Sequence, residues 1–60
     1  MENYFYEVEI LWALDWVIVA RVKYLGDALD EAIRQRYNNG HSSRVTDYTG
    51  KVIATWNPLK

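Results

Sequence analysis

Tyr4-Phe5-Tyr6-Glu7-Val8-Glu9-Ile10-Leu11-Trp12-Ala13-Leu14-Asp15-Trp16-Val17-Ile18-Val19-Ala20-Arg21-Val22-Lys23-Tyr24 decides how this chain folds. Two runs within it alternate with the period of a strand. Tyr4, Tyr6, Val8, Ile10 and Trp12 share one face of the first, and Trp16, Ile18, Ala20, Val22 and Tyr24 share one face of the second. With Ala13, Leu14 and Asp15 as a three-residue hairpin loop, Trp12 stands opposite Trp16. The register then pairs Ile10 with Ile18, Val8 with Ala20, Tyr6 with Val22 and Tyr4 with Tyr24. Opposed residues share a face, so this face is wholly apolar or aromatic. The other face pairs Leu11 with Val17, Glu9 with Val19, Glu7 with Arg21 and Phe5 with Lys23. A two-residue loop at Leu14-Asp15 shifts the pairing by one and mixes the faces. The three-residue loop is preferred, although it lacks the glycine such loops usually carry.

Downstream, the pattern changes from period two to a helical stripe. Leu25, Ala28, Leu29, Ala32, Ile33 and Tyr37 fall on one side of a helix from about Asp27 to Asn38. Asp27 suits an N-cap. Asn38-Asn39-Gly40 is a stop, with Gly40 or Asn39 able to take the left-handed conformation. Asp30 and Arg34 are spaced for an i,i+4 pair on the wet side. Arg36 falls inside the stripe and must either run its charge off the helix end or meet a sheet carboxylate.

The chain closes with a second hairpin. Arg44 to Asp47 and Lys51 to Trp56 flank Asp47-Tyr48-Thr49-Gly50, whose terminal Asp and Gly suit a type I turn with a following bulge. Val52 and Ile53 are expected to point to opposite sides, and Pro58 ends the strand. The whole is an α+β chain of order β-β-α-β-β, residues 1–60 making one domain: an antiparallel sheet with one helix on one face. A helix of this length, about 18 Å, covers one face only. The other keeps Leu11, Val17 and Val19 together, with Val52 or Ile53 beside them.

A domain of sixty residues buries only about 60% of the surface its unfolded chain exposes, and domains this small lean on disulfides, metals or oligomerisation. There is no cysteine and one histidine, so a thiolate site is ruled out. A dense aromatic core, with Trp12 and Trp16 facing each other, or self-association remains. The net charge of −1 fits neither a strongly basic nucleic-acid binder nor an acidic DNA mimic. The apolar run from Ile10 to Ala20 is interrupted by Asp15 and is short of the roughly 20 residues of a membrane span. The amino end, Met1 to Glu7, lacks the basic segment of a signal peptide. With no cysteine, a reducing cytoplasm is the expected location.

No pattern of residues points to catalysis. His41 with Ser42 and Ser43 sits in one loop, whereas a nucleophile, its base and the orienting acid meet from separated elements. Asp27, Asp30 and Glu31 are the acid a helix amino end favours. Gly26, Gly40 and Gly50 each mark an element boundary, and none builds a phosphate loop. No cofactor is expected. Arg21, Lys23, Arg44 and Lys51, with Phe5 or Tyr48, form an aromatic and basic set of the kind that binds single strands. Glu7 and Glu9 share their face.

The segment from Asp27 to Ile33, with Ser43-Arg44-Val45-Thr46-Asp47-Tyr48-Thr49-Gly50-Lys51-Val52-Ile53-Ala54, resembles many very short proteins of phages and mobile elements. These join a strand pair, a helix and a closing hairpin, and some small anti-CRISPR and other anti-defence proteins have this size and architecture. The matching residues are turn and core positions, so no functional residue is carried over. What the resemblance implies is a stoichiometric protein inhibitor. The expectation from the sequence is therefore a non-enzymatic protein-interaction module whose partner is a protein target or a second copy of itself. Its contact residues are Leu11, Val17, Val19, Arg21 and Trp56. The alternatives are a small nucleic-acid-binding domain using Arg21, Lys23, Arg44 and Lys51, or a homodimeric structural accessory.

Overall fold

A computed structural model describes residues 4–59. Met1, Glu2 and Asn3, part of the amino end read for a leader, lie outside the described residues, as does Lys60. Strands β1 (Tyr6–Trp12) and β2 (Asp15–Val22) form the first hairpin, helix α1 (Leu25–Asn39) follows, and β3 (Ser43–Asp47) and β4 (Val52–Trp56) close the chain. The sheet has the order β2-β1-β3-β4, with every neighbouring pair antiparallel. The β-β-α-β-β order and the α+β class are as the sequence indicates. The helix lets the chain cross from edge strand β2 to the far side of β1, where β3 pairs Val45 with Val8 and Ser43 with Ile10.

The first hairpin follows the expected register only at its open end. Tyr6 pairs with Val22, Glu7 with Arg21 and Val8 with Ala20, then a bulge between Val8 and Glu9 shifts the ladder. Beyond it Glu9 meets Ile18, Ile10 meets Val17, Leu11 meets Trp16 and Trp12 meets Asp15. The loop has two residues, Ala13 and Leu14, with φ of 51° and 75°. Two positive φ values define the tight turn whose twist matches a hairpin. A two-residue loop mixes the faces only in a regular ladder. Here the bulge, which leaves Val19 as the extra residue in β2, restores the sidedness. Trp12 and Trp16 therefore do not face each other. Tyr4 does not face Tyr24 across the helix side either: its hydroxyl donates to Glu7 Oε2 (3.2 Å).

Helix α1 begins two residues earlier than Asp27. The Tyr24 carbonyl accepts the Ala28 N–H (3.1 Å), and Tyr24, still extended, is the N-cap with no side-chain bond. Asp27 lies within the first turn, where its charge still suits the dipole. Gly40 ends the helix at φ 74°, donating to the Arg36 carbonyl (2.7 Å). The face turned to the sheet is narrower than the stripe. Ala28 and Ala32 are fully buried, while Ile33 and Tyr37 are exposed. These small side chains bring the helix backbone close enough for the buried Ser43 hydroxyl to donate to the Ala32 carbonyl (2.8 Å). Arg34 pairs with Glu31 (2.9 Å) and not with Asp30. Arg36, in the last turn, runs toward the exposed helix end and meets no sheet carboxylate. Its Nε donates to the Asn57 carbonyl, and Leu59 N–H donates to the Gly40 carbonyl (3.1 Å), so the carboxyl-terminal tail is tied to the helix end.

The second hairpin has the expected turn. Gly50 N–H donates to the Asp47 carbonyl (3.0 Å), Asp47 N–H to the Lys51 carbonyl (2.9 Å), and Gly50 takes φ 91°. Here too a bulge intervenes. Val45 pairs with Ala54 but Thr46 pairs with Val52, leaving Ile53 as the extra residue. The buried hydrophobic side chains are Val8, Ile10, Ala28, Ala32 and Val45, with Tyr6, Ala20, Val22, Leu29 and Trp56 packed half-buried around them. Among the described residues no aromatic side chain is fully buried, so the core is aliphatic and not the dense aromatic one the composition suggests.

Candidate interaction surface

Pairing assigns the faces. Residues paired with Val8 and Ile10 share the helix side, and residues paired with Glu7, Glu9 and Leu11 share the outer side. On the outer side the two central strands carry charge. Glu7 Oε2 holds Arg21 Nε (3.1 Å), and Glu9 Oε1 accepts from Arg44 Nε. The Arg44 guanidinium lies 4.1 Å from the centroid of the Trp16 ring and the Arg21 guanidinium 5.4 Å from that of Tyr4. Each arginine is therefore held between a carboxylate and an aromatic face, where its planar cation is well matched. Arg44 and Glu9 are largely covered, and Thr46, opposite Glu7, is buried. This ionic stripe is closed by its own members.

The apolar residues flank the stripe on the two edge strands. Ile18 and Val19 on β2 are 39% and 36% exposed, and Val52 and Ile53 on β4 are 43% and 40% exposed. The single apolar strip expected from the sequence is thus two edge patches with paired charges between them. Leu11 lies on the outer side against Trp16, half-buried. Val19 sits at the bulge, and Arg21 stands beside Glu7. Val17 is corrected: it pairs with Ile10 on the helix side, because the two-residue loop shifts the ladder by one for every β2 residue between the loop and the bulge at Val19. Ile18 takes the outer place instead. Trp56 pairs with Ser43 and packs half-buried against the core.

Lys23 Nζ lies 5.7 Å from the Tyr24 ring centroid, and Lys51 follows the second turn beside Asp47. Of the four basic residues of the nucleic-acid reading, two are matched by carboxylates on their own face. Asp47 Oδ1 accepts from the Thr49 hydroxyl and from the N–H groups of Thr49 and Lys51. The Thr49 hydroxyl is the main cause holding its pKa below the usual 3.8. His41 packs edge-on to Trp12, centroids 4.9 Å apart, and Ser43 is committed to the helix, so the expected neighbours His41 and Ser43 point to separate tasks.

Sequence reasoning missed Trp16, Ile18 and the hairpin tip, where Leu14 is 93% exposed. The one signal that could have found them is the unbroken apolar run Trp16-Val17-Ile18-Val19-Ala20, which has no wet side for a half-buried strand to show. Among the described residues there is no pocket, no group of three or more metal-ligating side chains, and no helix long and apolar enough to cross a membrane. Compared with protein-family models, curated proteins and solved structures, the chain matches none.

Proposed function

We propose that this chain is a non-enzymatic protein-interaction module that works in the cytoplasm by covering the apolar edge of its sheet with a partner, in the manner of a phage-derived stoichiometric inhibitor of a bacterial enzyme. The observation that carries this reading is the exposure of β2 on both its faces. Val17 on the helix side is 42% exposed, Ile18 on the outer side 39%, and Val19 at the bulge 36%. A strand apolar on both faces belongs inside a sheet, yet β2 is an edge. Isolated edges of this kind are normally blunted by lysine or proline. β2 has neither within its span; its charges, Asp15 and Arg21, lie toward its two ends, and the bulge at Val19 is the one such device near its apolar middle.

The nucleic-acid reading is weaker because Glu7 and Glu9 neutralise Arg21 and Arg44. Binding of a phosphate backbone rests on cations that give up counterions. A tagged chain and its Ile18→Lys variant, each passed through bacterial lysate with and without nuclease, separate the two. A protein captured equally after nuclease and lost with Ile18→Lys supports the interaction module. Recovery of nucleic acid that falls steeply with salt supports the alternative.

A further inference from the structure

We infer that the first partner of β2 is a second copy of this chain, joined edge to edge through Trp16, Val17 and Ile18 about a two-fold axis at Val17; this deepens the interaction reading and rests on it. The geometry comes from the hairpin. In a two-residue hairpin the closing pair, Trp12 and Asp15, exchanges backbone hydrogen bonds, and bonded and non-bonded pairs then alternate. Leu11 and Trp16 are therefore a non-bonded pair. The Leu11 N–H confirms this by donating away from β2, to the Ser42 carbonyl (2.9 Å). Ile10 and Val17 are bonded, and Glu9 and Ile18 are not. The N–H and C=O groups of Trp16 and Ile18 thus point out of the sheet at its β2 edge.

These four groups are complementary to themselves. An antiparallel copy with its axis at Val17 places Trp16 opposite the copy's Ile18 and Ile18 opposite the copy's Trp16, each pair exchanging two hydrogen bonds. Sidedness also agrees. Trp16 and Ile18 lie on the outer face, so each large ring meets an aliphatic side chain, while Val17 meets its own copy on the helix side. Arg44 stacked on Trp16 already fixes that ring. The bulge at Val19 ends the regular ladder after Ile18 and limits the pairing to this segment. The opposite edge is less suited: β4 is five residues long, is split by its own bulge, follows Lys51 and runs into the tethered tail with Pro58. No charge opposes the association, since Asp15 and Arg21 lie outside the three paired residues.

Sedimentation of the full chain from 5 to 200 µM, with hydrogen exchange of individual amides at both ends of that range, tests the inference. The expected result is a monomer–dimer equilibrium in the micromolar range. Protection of the Trp16 and Ile18 amides should rise with concentration by tenfold or more while that of Val8 is unchanged. Val17→Lys places two cations at the axis and should give a monomer, whereas Ile33→Lys on the exposed helix side should leave the dimer intact. A monomer at 200 µM overturns the copy as partner and leaves capture of another protein standing. A dimer that survives Val17→Lys, or one whose Trp16 and Ile18 amides stay unprotected, overturns the proposed edge. Should Val17→Lys fail to fold, the amide protection of the unaltered chain decides alone.

Discussion

Leu14 occupies a conformation that its side chain resists. At φ 75° its Cβ crowds the backbone, as does that of Ala13 at φ 51°, in a turn that Asn-Gly would form without strain. Replacing Leu14 with glycine should raise stability by about 1 kcal/mol, read as a higher midpoint in urea; an unchanged or lower midpoint would mean the turn is not strained at this residue. Asp47 is the second residue whose environment makes a measurable claim. Its carboxylate collects three hydrogen bonds, with the Thr49 hydroxyl contributing most to its lowered pKa. A carboxyl with a folded pKa below its unfolded value adds stability that is fully present above the unfolded value and is lost as pH falls through the folded one. Thr49→Val should move the carboxyl titration of Asp47 toward 3.8 and shrink that acid-side loss. An Asp47 titration identical in the variant and the parent would count against the hydroxyl as the cause.

At the scale of elements, the helix is docked by small residues and one hydroxyl. Ala28 and Ala32 allow close approach, and Ser43 on β3 bonds the Ala32 carbonyl. Ser43→Ala should cost about 1 kcal/mol in chemical denaturation with the slope unchanged; a neutral effect would show that the alanine contacts alone hold the helix. The helix end at Gly40, the second turn at Asp47 to Gly50 and the strand order along the chain were legible in the sequence, because glycine, aspartate and period-two alternation act locally. The two bulges were not. Each inserts one residue, Val19 or Ile53, without any glycine to announce it, and the choice depends on which register buries most against the helix. That choice fixed which side Val17 faces, so the candidate surface inherited the error. Leu11 and Arg21 lie on the expected side, Val19 is the extra residue of the bulge, Val17 lies on the opposite side, and Ile18, assigned to the core, lies outside.

Among the described residues five hydrophobic side chains are buried and many more large ones are exposed. Trp12, Leu14, Val17, Ile18, Tyr37, Tyr48, Val52 and Ile53 are all exposed. Scattered singly they would be unremarked; Val17 and Ile18, with Val19, lie together on the edge strand β2, where the proposed contact falls. On its outer face Glu7 pairs with Arg21 and Glu9 with Arg44, so the proposed partner would be selected by shape and hydrogen bonding and not by charge. The most direct test is photo-crosslinking in living bacteria. A benzophenone side chain is placed at Ile18 in one version of the chain and at Asp30, on the exposed side of the helix, in another. A discrete protein adduct from Ile18, a copy of the chain or another protein, with none from Asp30 is the result expected. Adducts from Asp30 alone, or the same adducts from both positions, would contradict a function carried by the β2 edge.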